Sequence, residues 1–324
     1  MSESPANNQP KFGPLRRRLV RPFLRVNESI WSRLPPSWKT TRLMSSYGGF
    51  LNSLVRSTAD RTQFHGTFFM RNRAEIEMIR SIALERPPDS TLKLTVLACS
   101  NGAEVYSILS GIRSARPDLK LDVHAIDISP DIIEVAKQGL YSPEKTSLVG
   151  ENIFERLTKG EVSELFNQEN GKFRIKEWIA QGINWRVGDA GDSMLAESLG
   201  AADIVVANKF LCHMQPSKAE ACLRELVSFL KAGGYLLVSG VDLDVRTKVA
   251  LDLGWKPVTN LVAEIHDGDP SVRRDWPWRY WGLEPLDVKR KDWKTRYAAF
   301  FQVGSPLTER QQASALEDSV AHSA

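Results

Sequence analysis

The 324-residue chain has little cysteine: Cys99, Cys212 and Cys222, with no Cys-x-x-Cys pair. So few, and an odd number, argue against a disulfide framework and for a reducing compartment, so a cytoplasmic location is expected. The five histidines are scattered without zinc-ligand spacing, and no metal site is expected. No apolar run approaches the roughly 18 residues of a membrane span. The run at 19–24 is broken by Arg21 and Pro22 and makes a poor signal-peptide core. Internal repeats and coiled-coil heptads are absent, and so is the Gly-x-Gly-x-x-Gly turn with which dinucleotide sites approach a pyrophosphate.

What is present is ordinary for a globular protein: 42% hydrophobic and 25% charged residues. The net charge of +4 is unevenly spread. Residues 1–60 hold ten Lys or Arg against three Asp or Glu, about +7, which leaves about −3 for the rest. A basic arm of this kind docks on an acidic partner, an anionic surface or nucleic acid; a solvated, partly mobile arm carries the same charge and is the commoner case. No RNA-binding motif supports nucleic acid as the partner.

The order of elements is read from apolar periodicity. Residues 1–14 and 305–324 are expected to be disordered tails, and 15–61 a basic helical region that Pro35-Pro36 divides, with a helix over 43–55 and Gly48-Gly49 as its weak point. The apolar stripe of Ile76, Ile79, Ile82 and Ala83 predicts a helix over 72–86 with Asn72 as N-cap. Strands are predicted at 92–98, 121–126, 183–187, 203–207 and 235–239, the last entered by a Gly233-Gly234 turn. They alternate with helices over 103–114, 130–138 (Ser129 as cap), 217–230 and 245–253. Repeated βα units imply a doubly wound, mostly parallel sheet, and two further strands at 258–265 and 297–303 close it as a seven-stranded α/β sheet with terminal antiparallel strands. The insert 139–182, with a helix over 152–159 and a strand-like piece at 172–179, is expected to form a small substrate-facing lobe within a domain spanning 62–304. The loop Asp275-Trp-Pro-Trp-Arg-Tyr-Trp-Gly282 either stacks on a planar ligand or packs over the sheet edge, the commoner use.

The chemistry centres on the turn after the first predicted strand, with its single Gly102 and early acid Glu104, and on Asp127, 25 residues further on at the end of the second strand. A carboxylate there accepts hydrogen bonds from ribose hydroxyls; an acid before the helix opening at Pro130 is the plainer role. Asp189 after the third strand meets an adenine amino group or caps a turn. With Ser, Asn and Ala at 100, 101 and 103, a phosphate-free cofactor such as S-adenosylmethionine fits better than a nicotinamide dinucleotide. Arg71 and Glu104 are candidates for its carboxylate and ammonium. His213, just past the fourth strand, is a candidate base, while Cys212 reads as a buried small residue.

These residues resemble the chemotaxis receptor (CheR-type) methyltransferases. The family turn Ala-Cys/Ala-Ser-Thr-Gly-Glu-Glu-Pro-Tyr-Ser has its counterpart in Ala98-Cys-Ser-Asn-Gly-Ala-Glu-Val-Tyr-Ser107. The signature Ala-x-Asp-Ile-x-x-x-x-Leu-x-x-Ala-x-x-Gly-x-Tyr is matched by Ala125-Ile-Asp-Ile-Ser-Pro-Asp-Ile-Ile-Glu-Val-Ala-Lys-Gln-Gly-Leu-Tyr141. Thr67-Phe-Phe-Met-Arg71 keeps the spacing of Thr-x-Phe-Phe-Arg with the Phe pair slipped by one. The resemblance implies a class I, Rossmann-like methyltransferase that takes its methyl from S-adenosylmethionine. It implies that Thr67, Arg71 and Glu104 hold the amino-acid end, that Asp127 binds the ribose, and that Asp189, Ala190, Asn208 and Lys209 line the adenosine and methionine portions. His65, Ala98, Gly102 and Ile128 complete the cofactor set, and Arg71 and His213 are the catalytic candidates. The departures are Ala103 for an acid, Ala207 for an Arg and Cys212 for a Tyr, together with an N-terminus unlike the family's receptor-binding domain. Cofactor features are better kept than substrate features. The methyl acceptor is therefore left open between a protein carboxylate and the oxygen of a small molecule or glycan, with a non-catalytic S-adenosylmethionine-binding regulatory or scaffold protein as the alternative.

Overall fold

The computed structural model describes residues 14–39, 41–62, 64–144 and 152–304. The tails expected at 1–14 and 305–324 lie outside them, Pro14 excepted. The chain forms two compact units: Met1–Asp60 with Pro270–Pro285, and Arg61–Asp269 with Leu286–Ala324. The domain expected over 62–304 is thus interrupted, because 270–285 belongs with the N-terminal residues.

The first unit contains the helices Pro14–Arg33, Pro36–Lys39 and Arg42–Thr58. Thr41 caps the third by accepting the Met44 N–H. Gly48-Gly49 does not break that helix. A Cβ at Gly48 would lie 2.2 Å from the Trp276 ring, so the glycine admits a close approach. The Trp-rich loop packs against the helices of this unit: Trp31 meets Trp276 and Trp278 edge-on at 5.8 and 6.2 Å, and Asn52 Nδ2 donates to the Pro277 and Arg279 carbonyls. Along the first helix Phe23, Val26 and Ile30 are exposed, beside Arg21, Arg25 and Arg33.

The second unit is built on β1 (Thr91–Leu97), β2 (Lys120–Asp127), β3 (Leu140–Tyr141), β4 (Phe166–Glu169), β5 (Lys172–Ile175), β6 (Ile183–Val187), β7 (Ala202–Asn208), β8 (Leu230–Ser239), β9 (Lys256–Pro257) and β10 (Phe300–Gln302). Seven of them form one sheet in the order β6-β2-β1-β7-β8-β10-β9. The first five of these run parallel, and β10 is antiparallel to both neighbours. Leu92, Leu94 and Val96 of β1 are fully buried, each burial worth roughly 1.5–3 kcal/mol. Every residue of β7 is buried, as the middle strand of a sheet covered on both faces requires. Leu97 stands opposite both Ile126 and Ala207, so β1, β2 and β7 end level. The strand order reverses between β1 and β7, the place where open α/β sheets bind ligands beyond the strand ends.

Most predicted elements appear within a few residues of their expected ends. The helix Arg73–Leu84 begins at Asn72, whose side chain accepts the Glu75 N–H, and the helix Pro130–Gln138 is as expected. Ser129 sits at its N-cap without a side-chain bond; its N–H goes to Asp127 Oδ1 instead. Five expectations need correction, one being that the strand-like piece at 172–179 is strand only in β5, with Glu177–Ala180 helical. The strand expected over 258–265 does not form: β9 ends at Pro257, and Leu261 takes a left-handed φ of 57° and starts the helix Val262–Asp267, which buries Val262, Ile265 and His266 at helical spacing. The strand expected from 297 shortens to β10, since Trp293–Tyr297 is helical. Gly233-Gly234 is a register irregularity inside β8. In the insert the helix is Lys159–Leu165, opened by a Thr158–Glu161 capping box, and not 152–159. The insert also carries the small antiparallel sheet β3-β5-β4.

Candidate functional site

At the level ends of β1, β2 and β7 lies a cavity of about 250 Å³. Its wall includes every site residue expected from the sequence except Gly102: His65, Thr67, Arg71, Ala98, Glu104, Asp127, Ile128, Asp189, Ala190, Asn208, Lys209 and His213. Gly102 shapes the site from behind. Its φ is +85°, and a Cβ there would lie 2.9 Å from the Trp185 ring and 3.0 Å from Tyr106. Only glycine satisfies both conditions. Three non-glycine residues of the wall, Ala98, Ser100 and Lys209, also take positive φ, between 50° and 62°. Such strain persists only where surrounding bonds hold it.

Asp127 supplies those bonds on one side. Its Oδ2 accepts the Ser100 N–H at 2.9 Å and its Oδ1 the Ser129 N–H at 3.0 Å. It is 4% exposed. Each carboxylate oxygen has a second lone pair, so Asp127 can hold two strand-end turns and still accept from a diol. Ser100 Oγ donates to the His65 carbonyl, drawing in the segment that carries Thr67 and Arg71.

The slip of the Phe pair has a physical account. Phe69 is fully buried against Tyr141, Phe154 and Phe166. Phe68 lies under the guanidinium groups of Arg71 and Arg156, at 5.4 and 4.8 Å. Arg71 Nε pairs with Asp269 Oδ2 at 2.8 Å, and its Nη1 donates to the Gly66 carbonyl. Arg156 Nη2 pairs with Asp269 Oδ1 at 2.8 Å, and Lys209 Nζ stands 3.8 Å from the same carboxylate. Asp269 thus orients two arginines and a lysine while keeping Arg71 on the cavity wall, where it can receive a carboxylate.

Opposite them, Asn208 Nδ2 donates to Glu104 Oε1 at 2.7 Å and to Glu75 Oε2 at 3.2 Å. Its Oδ1 accepts both the N–H and the Oγ–H of Ser239. The Ser239 N–H can only donate, so the Asn208 amide cannot be flipped. Burial raises Glu104, and burial raises Glu75 to about 7. Lys209 opposes the Glu75 shift and Glu104 adds to it.

The remaining expected residues are placed plainly. Asp189 is exposed and its Oδ1 accepts the Gly191 N–H, so it does cap a turn while lining the cavity. Burial, with Arg61 and Arg71 nearby, lowers His213 to about 4. Cys212 is buried, its thiol pushed up to about 11 by burial, and its carbonyl accepts from Arg61. Neither Ala207 nor Cys212 is on the cavity wall. Sequence reasoning missed Glu75, Asp269 and Phe68. Glu75 had a signal, an acid one helical turn after Arg71 beside the apolar stripe; Asp269, distant in sequence, had none. Among the described residues no His, Cys, Asp and Glu group could hold a metal ion, and no helix is long and apolar enough to cross a membrane.

A diol acceptor, a buried acid and an arginine on one cavity wall fit a cofactor that carries a ribose and an amino-acid tail. The family model of the CheR methyltransferase SAM-binding domain matches residues 65–245, more than half of the chain. The chain is 28% identical over 207 residues to the chemotaxis protein methyltransferase Cher2 of Pseudomonas putida, covering 60% of this chain and 70% of that one. It is 27% identical over 214 residues to the probable biofilm formation methyltransferase WspC of the same organism, covering 63% and 47%. It is 25% identical over 180 residues to a chemotaxis protein methyltransferase of Vibrio parahaemolyticus, covering 51% and 58%. It thus spans about half the length of the last two relatives. With the parallel sheet, the cavity at its switch point and this match in hand, the chain belongs to the CheR methyltransferase family, whose S-adenosylmethionine-binding domain it carries.

Proposed function

We propose that this protein transfers a methyl group from S-adenosylmethionine to a carboxylate oxygen of a protein substrate. Bound there, S-adenosylmethionine supplies a methyl already activated on a sulfonium. In this reading Asp127 holds the ribose, Thr67 and Arg71 the cofactor carboxylate, and Glu104 its ammonium. Asp189, Ala190, Asn208 and Lys209 line the rest, beside His65, Ala98 and Ile128. The buried Phe68 makes part of the wall apolar, and the acceptor is left with an in-line approach.

The observation that carries the choice of acceptor is His213. An imidazole held at about 4 is neutral at pH 7 but a weak base. A hydroxyl or amine acceptor needs an available base poised near neutrality; Glu75, the wall acid at about 7, is tied to the Asn208 amide, and an ionised carboxylate acceptor needs no base. The curated names of similar chains support a protein acceptor. The substitutions at 207 and 212 lie off the cavity wall, which supports retained transfer over a purely regulatory role.

The test is to incubate the protein with methyl-labelled S-adenosylmethionine and a lysate of its own source, then treat the products with mild base. Release of volatile methanol is expected. Base-stable label would establish an ether or amine product on a small molecule, glycan or protein, and no label with cofactor bound would establish a binding protein.

A further inference from the structure

Glu75 is the one buried carboxylate on the cavity wall that no matched motif position covers. It is 6% exposed and sits on the first turn of the helix Arg73–Leu84. It shares the Asn208 amide with Glu104, so two carboxylates from different helices are held at one point by a side chain whose orientation Ser239 fixes. Two acids gathered this closely in a dry wall repel each other unless a proton or a cation joins them.

The cations around Glu75 are already engaged. Lys209 faces Asp269, Arg71 is paired with Asp269, and Arg246 from the helix Leu243–Asp252 donates to the Val238 and Arg296 carbonyls. Asp269 and Glu104 add negative charge, and the Ser239 hydroxyl also faces Glu75. These cations are held by Asp269 or by backbone carbonyls, while Glu75 and Glu104 meet through the Asn208 amide. Resting on the cofactor assignment above, we infer that Glu75 is a second acidic contact for the cofactor's ammonium, and that the Glu75–Asn208–Glu104 bridge releases a proton to solvent when that cation arrives. The O–H bond of a protonated Glu75 breaks, its electron pair stays on the carboxylate, and the ammonium takes the proton's place as the neutralising charge. Burial raises the Glu75 carboxyl to about 7, which places that exchange near neutral pH.

The sign follows from linkage. Binding favours ionised Glu75, so affinity rises with pH up to about 7 and is level above it. The experiment is isothermal titration of the full chain with S-adenosylhomocysteine, which has the ammonium but no methyl to transfer. It is run at pH 7 in phosphate and in Tris, whose ionisation enthalpies differ, and repeated at pH 6 and pH 8. The wild type is expected to release on the order of half a proton at pH 7 and to bind about tenfold tighter at pH 8 than at pH 6. Glu75→Gln, of the same shape, is expected to lose the release and the pH dependence and to bind about tenfold more weakly at pH 8. A wild type that releases no proton, or a folded Glu75→Gln that keeps the release and the affinity, overturns the inference and leaves the cofactor assignment standing. A Glu75→Gln that keeps both and loses only turnover also overturns it, making Glu75 a base instead. Should the variant not fold, the wild-type comparison between buffers still decides. Failure of the wild type to bind S-adenosylhomocysteine at all overturns the cofactor assignment itself.

Discussion

Ser100 donates its backbone N–H to Asp127 Oδ2 at 2.9 Å, which ties the turn after β1 to the last residue of β2. The bond makes Asp127 both a strut and a ligand acceptor. Asp127→Asn keeps the volume, but its amide end cannot accept an N–H. It is expected to weaken S-adenosylhomocysteine binding by tenfold or more and to lower stability by about 1–3 kcal/mol. Titration and thermal melting check the two effects, and unchanged affinity would remove the ribose from Asp127.

Gly102→Ala should destabilise the second unit even without ligand. The alanine would be forced to a φ of +85° with its Cβ against Trp185 and Tyr106. A cost of roughly 2 kcal/mol is expected, lowering Tm by about 4–8 °C. A melting curve identical to wild type would mean that the turn is not built as described.

In the first unit, Gly48→Ala places a methyl where the Trp276 ring lies, and Asn52→Ala leaves the Pro277 and Arg279 carbonyls without their donor. Each should cost about 1–3 kcal/mol, and the first should change tryptophan fluorescence by separating Trp276 from Trp31. Serine at 48 is expected to behave like alanine, because its Cβ meets the same ring.

The half-buried His213 and the buried Glu75 give opposite acid–base signatures. His213 is held below its ordinary value, so the unfolded chain takes up a proton first, and its contribution to stability falls as pH drops from about 6.5 towards 4. Since the ring is partly exposed, this amounts to about 1–2 kcal/mol. Glu75 is held above its ordinary value, so its contribution falls as pH rises from about 4.5 to 7. Denaturant melts at pH 5 and pH 8 should show His213→Phe gaining on wild type at the lower pH and Glu75→Gln gaining at the higher.

His213→Gln should retain methyl transfer to within a few-fold, because an ionised carboxylate acceptor asks for no base. Initial rates with methyl-labelled cofactor check this. A loss of 10²-fold or more, on the scale of general-base catalysis, would favour a hydroxyl or amine acceptor.

The parts of the protein that were legible in sequence are those where one local rule dominates. The stripe Ile76, Ile79, Ile82 with Asn72 before it located a helix, and the apolar run ending at Asp127 located both a strand and its carboxylate. The 258–265 segment misled because Val262 and Ile265 suit strand or helix equally, and the left-handed Leu261 that decides between them leaves no mark in composition. The tryptophan loop looked like a ligand platform or an edge cover because its partners, Trp31, Gly48 and Asn52, lie more than 200 residues away. Asp269 escaped for the same reason: its importance comes from Arg71 and Arg156, which meet it only in the folded chain.

The most direct measurement of the central claim is a crystal structure of the protein with S-adenosylhomocysteine. The expected density lies in the cavity at the ends of β1, β2 and β7, with ribose hydroxyls within hydrogen-bond distance of Asp127, the ammonium between Glu104 and Glu75, and the carboxylate at Arg71. Ligand bound elsewhere, or bound there with its ribose turned away from Asp127, would contradict it.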